Sequence, residues 1–303
     1  MASTFSTVLS VFLLLVVGYG AKKIGILKPK DAGAVNSIVI NLTVPALIFV
    51  SIHRQPLDSS MAKTPLVGIV TQFVILGLAY AAARMFKLDR PTTGGLMLAA
   101  TFGNTAFLGF PIVSAAFPDN KQAMPAAVMF DEFGMALMLN SVGIAVAATF
   151  AGRHFQWSSM LEFLKMPLFP ATVVSLVLRT VYIPPVILGT LGFLAAGTVP
   201  LAMISIGLSL SASSLKKYPG PLAVSFVLKM IVLPLLVSAA LSLVGVTGVV
   251  RQVTILESAV PTAVLTGIIA GRYGANEEFV ASAIFVTTLM SVVLLPAVLI
   301  LVK

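Results

Sequence analysis

Cysteine is absent from the 303 residues, so the chain has neither disulfides nor thiolate metal ligands to offer. Charge is scarce too: Asp, Glu, Lys and Arg make up 10% of the sequence, against roughly 25% in soluble globular proteins. That shortage excludes a water-soluble globule. There are only two histidines, His53 and His154, each beside an arginine in a stretch read as a solvated loop. No G-x-x-x-x-G-K-[ST] phosphate loop and no H-E-x-x-H occurs, which argues against ATP as an energy source within this chain. What is present is apolar: 58% of residues are hydrophobic and the mean hydropathy is +1.07. The net charge of +9 would suggest nucleic acid in a soluble domain. Here the basic residues sit in short loops between apolar runs, where they set membrane orientation, and no nucleic-acid partner is expected.

A membrane-spanning helix needs about 20 apolar residues. Ten stretches qualify: Phe5 to Ala21, Ala34 to Ile52, Pro65 to Phe86, Thr92 to Phe117, Gln122 to Phe150, Pro167 to Val181, Val186 to Ser211, Gly220 to Val244, Val249 to Gly271, and Phe279 to Leu301. The first is followed rather than preceded by basic residues, Lys22 and Lys23, so it reads as a retained span and not a cleaved signal. Twelve of the nineteen Lys and Arg fall in the odd-numbered loops, six on the other side, and Lys229 lies inside a span. The positive-inside rule then places both termini outside the cytoplasm, with a bacterial inner membrane as the expected location.

The halves resemble each other. Thr43-Val44-Pro45 recurs as Thr198-Val199-Pro200, and Ala127 to Phe130 aligns with Ser282 to Phe285, each pair 155 positions apart. Pro111 and Pro261 fall 150 apart. An odd number of spans per half makes such a repeat inverted in the membrane. The expected domains are therefore residues 1–151, a short cytoplasmic link at 152–166 in which Trp157 serves as an interfacial anchor, and residues 167–303.

Two spans carry polar groups where a helix should be uniformly apolar. In span 4, Asn104 and Thr105 precede Gly109 and Pro111; in span 9, Glu257 and Ser258 precede Pro261 and Thr262. Proline removes a backbone donor and clashes with the preceding turn, so both spans should break near these prolines. Open backbone at bilayer depth is tolerated only where it lines a cavity or is buried in protein, and paired breaks point to a transporter's binding site. Charged groups at that depth cost at least about 2.5 to 3.5 kcal/mol each. Asp131, Glu132, Lys229 and Glu257 qualify, and of the adjacent pair Asp131 and Glu132 at most one should face a shared centre fully. Lys229 reads either as a buried partner of Glu257 or Asp131 or as the group that attracts an anionic substrate. Gly267 and Gly271 form a small-xxx-small pair suited to close helix packing.

These motifs resemble the auxin efflux carrier family of membrane transporters over essentially the whole chain. The resemblance rests on Asn41-x-x-x-Pro45-Ala46-Leu47, Asn104-Thr105-x-x-Leu108-Gly109-x-Pro111, Pro200-Leu201-Ala202 with Gly207, Lys229 with Pro234, and Glu257-Ser258-Ala259-x-Pro261-x-Ala263. It implies an all-α polytopic membrane protein of ten transmembrane helices, two inverted five-helix repeats whose proline-broken helices 4 and 9 cross. Helices 1, 2, 6 and 7 would form a scaffold, often dimeric, and helices 3–5 and 8–10 a transport unit moving by an elevator-like step. Asn104, Pro111 and Pro261 inherit the substrate-site role, and Glu257 resembles a cation-site carboxylate of the more distant bile-acid sodium symporters.

The expected function is secondary transport of a small organic anion, an auxin-like aromatic acid or a short carboxylate. The expected substrate residues are Asn104, Thr105, Gly109, Pro111, Lys229, Ser258, Pro261 and Thr262, with Glu257 and Asp131 as coupling-ion candidates for sodium or a proton. No other cofactor is expected; membrane lipid and a second copy of the chain are the expected partners. A remote alternative is an intramembrane enzyme using Asp131 and Glu257 as acid and base, but no nucleophile or metal constellation accompanies them.

Overall fold

The computed structural model describes residues 2–55, 57–152, 163–209 and 217–303. The readings of His154 and Trp157 fall outside these residues. Among the described residues every regular element is helical. The helices run α1 (Ala2–Lys23), α2 (Asp31–Ile52), α3 (Ser59–Met85), α4 (Arg90–Thr101), α5 (Thr105–Ala116), α6 (Ala123–Phe150), α7 (Leu168–Val177), α8 (Pro185–Ser209), α9 (Pro219–Leu243), α10 (Gly248–Ser258), α11 (Val264–Tyr273) and α12 (Glu277–Val302). Six of them, α2, α3, α6, α8, α9 and α12, are long and apolar enough to cross a bilayer. With the absence of any soluble-type charge density, they make this an integral membrane protein. The stretch Pro167 to Val181 yields only the ten residues of α7, because Arg179 and the Pro184-Pro185 pair close it.

Local signals set the helix ends. Asp89 starts α4 by accepting the Thr92 N–H at 3.2 Å, and Asn276 starts α12 by accepting the Phe279 N–H at 2.9 Å. Asp58 does the same for the short turn opening α3, and the Ser60 N–H holds its carboxyl below the usual carboxylate range. Gly274, at φ 90°, ends α11 in the left-handed region that glycine enters without strain.

Five π-helical turns interrupt the long helices, at Val39–Thr43, Thr105–Gly109, Asp131–Ala136, Leu139–Gly143 and Leu228–Val232. Three of them end two residues before a proline: Pro45, Pro111 and Pro234. A proline ring has no N–H and crowds the carbonyl a turn earlier, and a widened turn relieves both problems without breaking the rod. This corrects the expectation for span 4. Its helix does not break at Pro111, which sits buried in the first turn of the α-helical part of α5; it breaks at Phe102–Asn104, before the π turn. In span 9 the break runs from Ala259 to Ala263 and contains Pro261.

Two groups of helices pack internally. The second half of α8 lies along α1 and against α2, while α7 and the first half of α8 cover the second half of α2. At Gly207 a Cβ would stand 2.7 Å from the Tyr19 backbone nitrogen, so α1 and α8 approach to a distance only glycine allows. In the other group α3 packs on α4, α6 and α9, α10 on α6 and α9, and α12 on α4, α10 and α11. Gly267 and Gly271 face Ile284 and Glu277 of α12, the close packing their spacing suggested.

His53, read from the sequence as solvated, is buried instead. Its ring stacks on Phe49, and its Nδ1 lies 3.2 Å from the Leu178 carbonyl beyond α7. The apolar end of α7 covers what the neighbouring Arg54 had suggested was open.

Candidate functional site

The two breaks meet. Gly103 and Thr262 form an antiparallel bridge, Asn104 N–H donates to the Pro261 carbonyl at 2.8 Å, and Ala263 N–H donates to the Phe102 carbonyl at 3.0 Å. Backbone that neither helix can satisfy is satisfied by the other, which is how irregular chain survives away from water. Pro261 contributes only a carbonyl, so its missing N–H costs nothing there. The Thr262 hydroxyl donates to the Ala99 carbonyl at 2.8 Å, and its N–H donates to Thr287 Oγ1 at 3.1 Å. Gly103 is required by closeness: a Cβ would stand 2.9 Å from Val260 Cγ2 and 3.0 Å from Lys229 Nζ.

Lys229 lies in the π turn of α9, fully buried, and its Nζ donates to the Ser258 carbonyl at 2.7 Å. Ser258 is the last residue of α10, so the ammonium sits where the helix concentrates negative partial charge. Among the described residues no carboxylate oxygen lies within 4.0 Å of Lys229; the one such ion pair between side chains joins Lys217 and Glu278. Glu257 is close enough to feel the charges of both Lys229 and Asp131. Its carboxyl group presses on the π turn of α5: a Cβ on Gly109 would stand 2.6 Å from Glu257 Cδ. Neither Glu257 oxygen has a hydrogen-bond partner.

On the other face of the crossover is a cavity of about 260 Å³. Its walls come from both helix groups: Asn36 and Ile206 from α2 and α8, the residues Asn104 to Phe107 and Ala263 to Leu265, and one face of α6 that includes Asp131, Glu132 and Asn140, together with Met166 and Leu168. The openings of α5 and α11 therefore both line it, and the first N–H groups of a helix have no acceptor inside their own helix. Asn104, 5% exposed, has no partner for its side-chain nitrogen. The Thr105 hydroxyl donates to Asp131 Oδ1, while Asp131 Oδ2 and both oxygens of the fully buried Glu132 have no hydrogen-bond partner. Among the described residues no lysine, arginine or histidine lines the cavity.

Of the residues singled out in the sequence, Asn104, Thr105 and Asp131 share this cavity wall. Lys229, Glu257, Ser258, Pro261 and Thr262 sit in the crossover behind it, Gly109 abuts Glu257, and Pro111 is buried in α5. Asp131 and Glu132 both border the cavity, with Asp131 2% and Glu132 0% exposed. They open the π turn Asp131–Ala136, whose wider winding brings neighbours closer in angle than the 100° of an α-helix. Asn36 and Asn140 were not anticipated, although each is an amide inside an apolar helix, the same signal that marked Asn104. Asn36 Oδ1 accepts the Ser205 hydroxyl at 2.5 Å and Asn140 Nδ2 donates to the Ala136 carbonyl at 2.8 Å.

A helical membrane protein with two helices broken at their contact, beside a mostly apolar cavity edged by a few buried polar side chains, has the build of a membrane transporter. The family model described as "Membrane transport protein" matches residues 3–159 and 153–299, and the chain belongs to this family, the auxin efflux carrier family its motifs resemble. An uncharacterized transporter of Methanothermobacter thermautotrophicus is 32% identical over 98% of this chain and 97% of its own length. Another, of Methanocaldococcus jannaschii, is 33% identical over 95% of each chain. A Rhizobium meliloti protein provisionally named a malonate transporter is 25% identical over 96% of this chain and 93% of its own.

Proposed function

We propose that this chain is a secondary transporter for a small organic anion, with a short carboxylate as the substrate class and the cavity beside the crossover as its binding site. One observation carries this: the amino ends of two broken helices, α5 and α11, open onto the same cavity. Such ends bear partial positive charge and unsatisfied donors, and broken helices of transporters aim them at anionic groups. The volume of about 260 Å³ falls at or below the lower limit for sites of drug-sized ligands, which suits a few-carbon acid. The name of the Rhizobium meliloti relative points the same way.

The finer architecture is part of this reading. Helix starts recur at similar offsets: Asp31 and Pro185 lie 154 residues apart, Arg90 and Gly248 158, Thr105 and Val264 159, and Ala123 and Glu277 154. These spacings support two inverted five-helix repeats, residues 1–151 and 167–303 joined through 152–166, in a cell membrane with both termini outside. The mutual packing of α1, α2, α7 and α8, which meet the other helices through α1 on α5 and α2 on α6, supports reading them as a scaffold against which the other helices move, and a second copy of the chain is proposed as its partner. The cavity lies where those groups meet, as alternating access by a sliding unit requires. The carboxyl groups of Asp131 and Glu132 in its wall favour the ion-coupled version of this transport over an uncoupled one.

Asn104 supplies the test. Reconstituted into liposomes, the wild type should take up labelled malonate or a near homologue from a carboxylate panel, saturably and with counterflow. Asn104→Ala should raise KM about tenfold or more, the loss of roughly 1.4 kcal/mol or more of binding. Unchanged uptake in the variant would remove Asn104, and with it this cavity, from the substrate path.

A further inference from the structure

Among the described residues, Glu132 is the one ionisable group of the cavity whose oxygens have no partner at all. Its relative exposure is 0%, yet it lines the space. Asp131 beside it accepts a hydroxyl; Glu132 accepts nothing. Among the described residues the elements packed around it offer no countercharge. Asp131 is the only other charged residue on α6; α5 and α7 carry none; α3 places Lys63 and Arg84 at its two ends, with Tyr80 between. Lys229 and Glu257, on α9 and α10, stand behind the crossover. An ionised carboxylate sealed from water without a cation or donor is costly, so such a group either holds a proton or meets a cation.

We propose that Glu132 is the proton-carrying group of this transporter, taking one proton from water on one side of the membrane when the anion enters the cavity and returning it to water on the other. The step forms one O–H bond on a Glu132 carboxylate oxygen and later breaks it, with water as donor and acceptor. Chemistry favours a proton over a metal ion here. A hard cation needs several oxygen ligands arranged around it, whereas a proton needs a single carboxylate oxygen. It also accounts for the choice of side chain. An anion entering between the amino ends of α5 and α11 would otherwise face two ionised carboxylates in a poorly polar space, and one bound proton removes half of that opposing charge.

This assignment rests on the anion-transport reading above, and the experiment separates the two. In liposomes with the membrane potential clamped, an inward proton gradient should drive accumulation of labelled malonate by the wild type. Glu132→Gln should lose that gradient-driven accumulation, and Glu132→Asp should restore part of it. Gradient-driven accumulation by Glu132→Gln at the wild-type level would overturn the proposal. A second readout needs no substrate. The infrared carbonyl band of protonated carboxyl groups, followed from acidic to alkaline pH in reconstituted protein, should contain a titrating component in the wild type and in Asp131→Asn that is missing from Glu132→Gln. Identical bands in all three would also overturn it. If the wild type ignores malonate while the Glu132 band is present, the substrate class fails and the proton site stands.

Discussion

The two breaks of this molecule solve the same backbone problem with opposite surroundings. At the α10 break the backbone and the hydroxyl of Thr262 are paired, with Lys229 on the Ser258 carbonyl and Thr262 tied to both Ala99 and Thr287, and only the Glu257 carboxyl, turned away from the cavity, keeps bare oxygens. At the α4–α5 break the backbone is paired but the side chains are not, since Asn104 keeps a free amide nitrogen and Thr105 reaches toward an acid on the cavity wall. Fully satisfied networks fix one geometry, while unpaired buried groups are costly unless a ligand or water meets them. One break holds the crossing together, and the other leaves donors for something that comes and goes. Sequence similarity between the halves therefore hides a division of labour.

The sharpest way to break this comparison is to remove the clamp. Lys229→Met takes the only donor from the Ser258 carbonyl and leaves Glu257 without the nearby cation it feels. Deleting one member of a buried charged network costs about 3–5 kcal/mol, so thermal unfolding in detergent should fall by many degrees. Asn104→Ala, on the open side, should unfold within a few degrees of the wild type. Equal losses in the two variants would erase the distinction between a holding break and a binding one.

How far the sequence speaks depends on the range of the interaction. The breaks themselves were legible because Asn104-Thr105 and Glu257-Ser258 are polar groups where apolar ones are expected. Their position was not. Pro111 looks like the breaker, but the π turn at Thr105–Gly109 absorbs it, and the chain opens at Gly103, where a partner 159 residues away supplies the hydrogen bonds. Pro261 stands inside its break for the same reason, as a carbonyl that accepts the Asn104 N–H of the other helix. His53 was misread because its cover, the end of α7, comes from a different part of the chain. Glu132 went unassigned because a π turn changes the angle between neighbours, and no residue type announces a π turn. Burial and charge were readable; the direction in which each side chain faces was set by contacts made across the fold.

A smaller effect should sharpen the boundary between the two sides. Gly109 and Glu257 touch where the cavity-side helix meets the clamp, and a Cβ on Gly109 would run into the carboxyl group. Gly109→Ala should destabilise by about 1–3 kcal/mol, the usual range for overpacking a close-packed interior. In a Glu257→Ala background the same change should cost less, because the obstructing atoms are gone. A double-mutant cycle on unfolding midpoints reads the coupling directly, and strictly additive losses would mean the two residues do not press on each other.

The smallest effect concerns a lysine of the same segment that stands in water. Lys217 pairs with Glu278 at 3.3 Å, with side-chain exposures of 58% and 50%, and its ammonium is pushed above the usual lysine range first by Tyr218 and then by Glu278. A group whose folded-state value is raised adds stability that is fully present below its unfolded value and fades as pH climbs through the folded one. Lys217→Ala should therefore show whatever loss it causes from neutral to mildly alkaline pH, and converge with the wild type in strongly alkaline buffer. Exposed pairs are screened and entropically costly, so the shift in unfolding temperature should be far smaller than for Lys229→Met, twelve residues along, and should shrink further in high salt. A loss as large as that of Lys229→Met, or one insensitive to salt, would show that burial is not what separates these two lysines. The clamp at the crossover would then need another explanation than its removal from water.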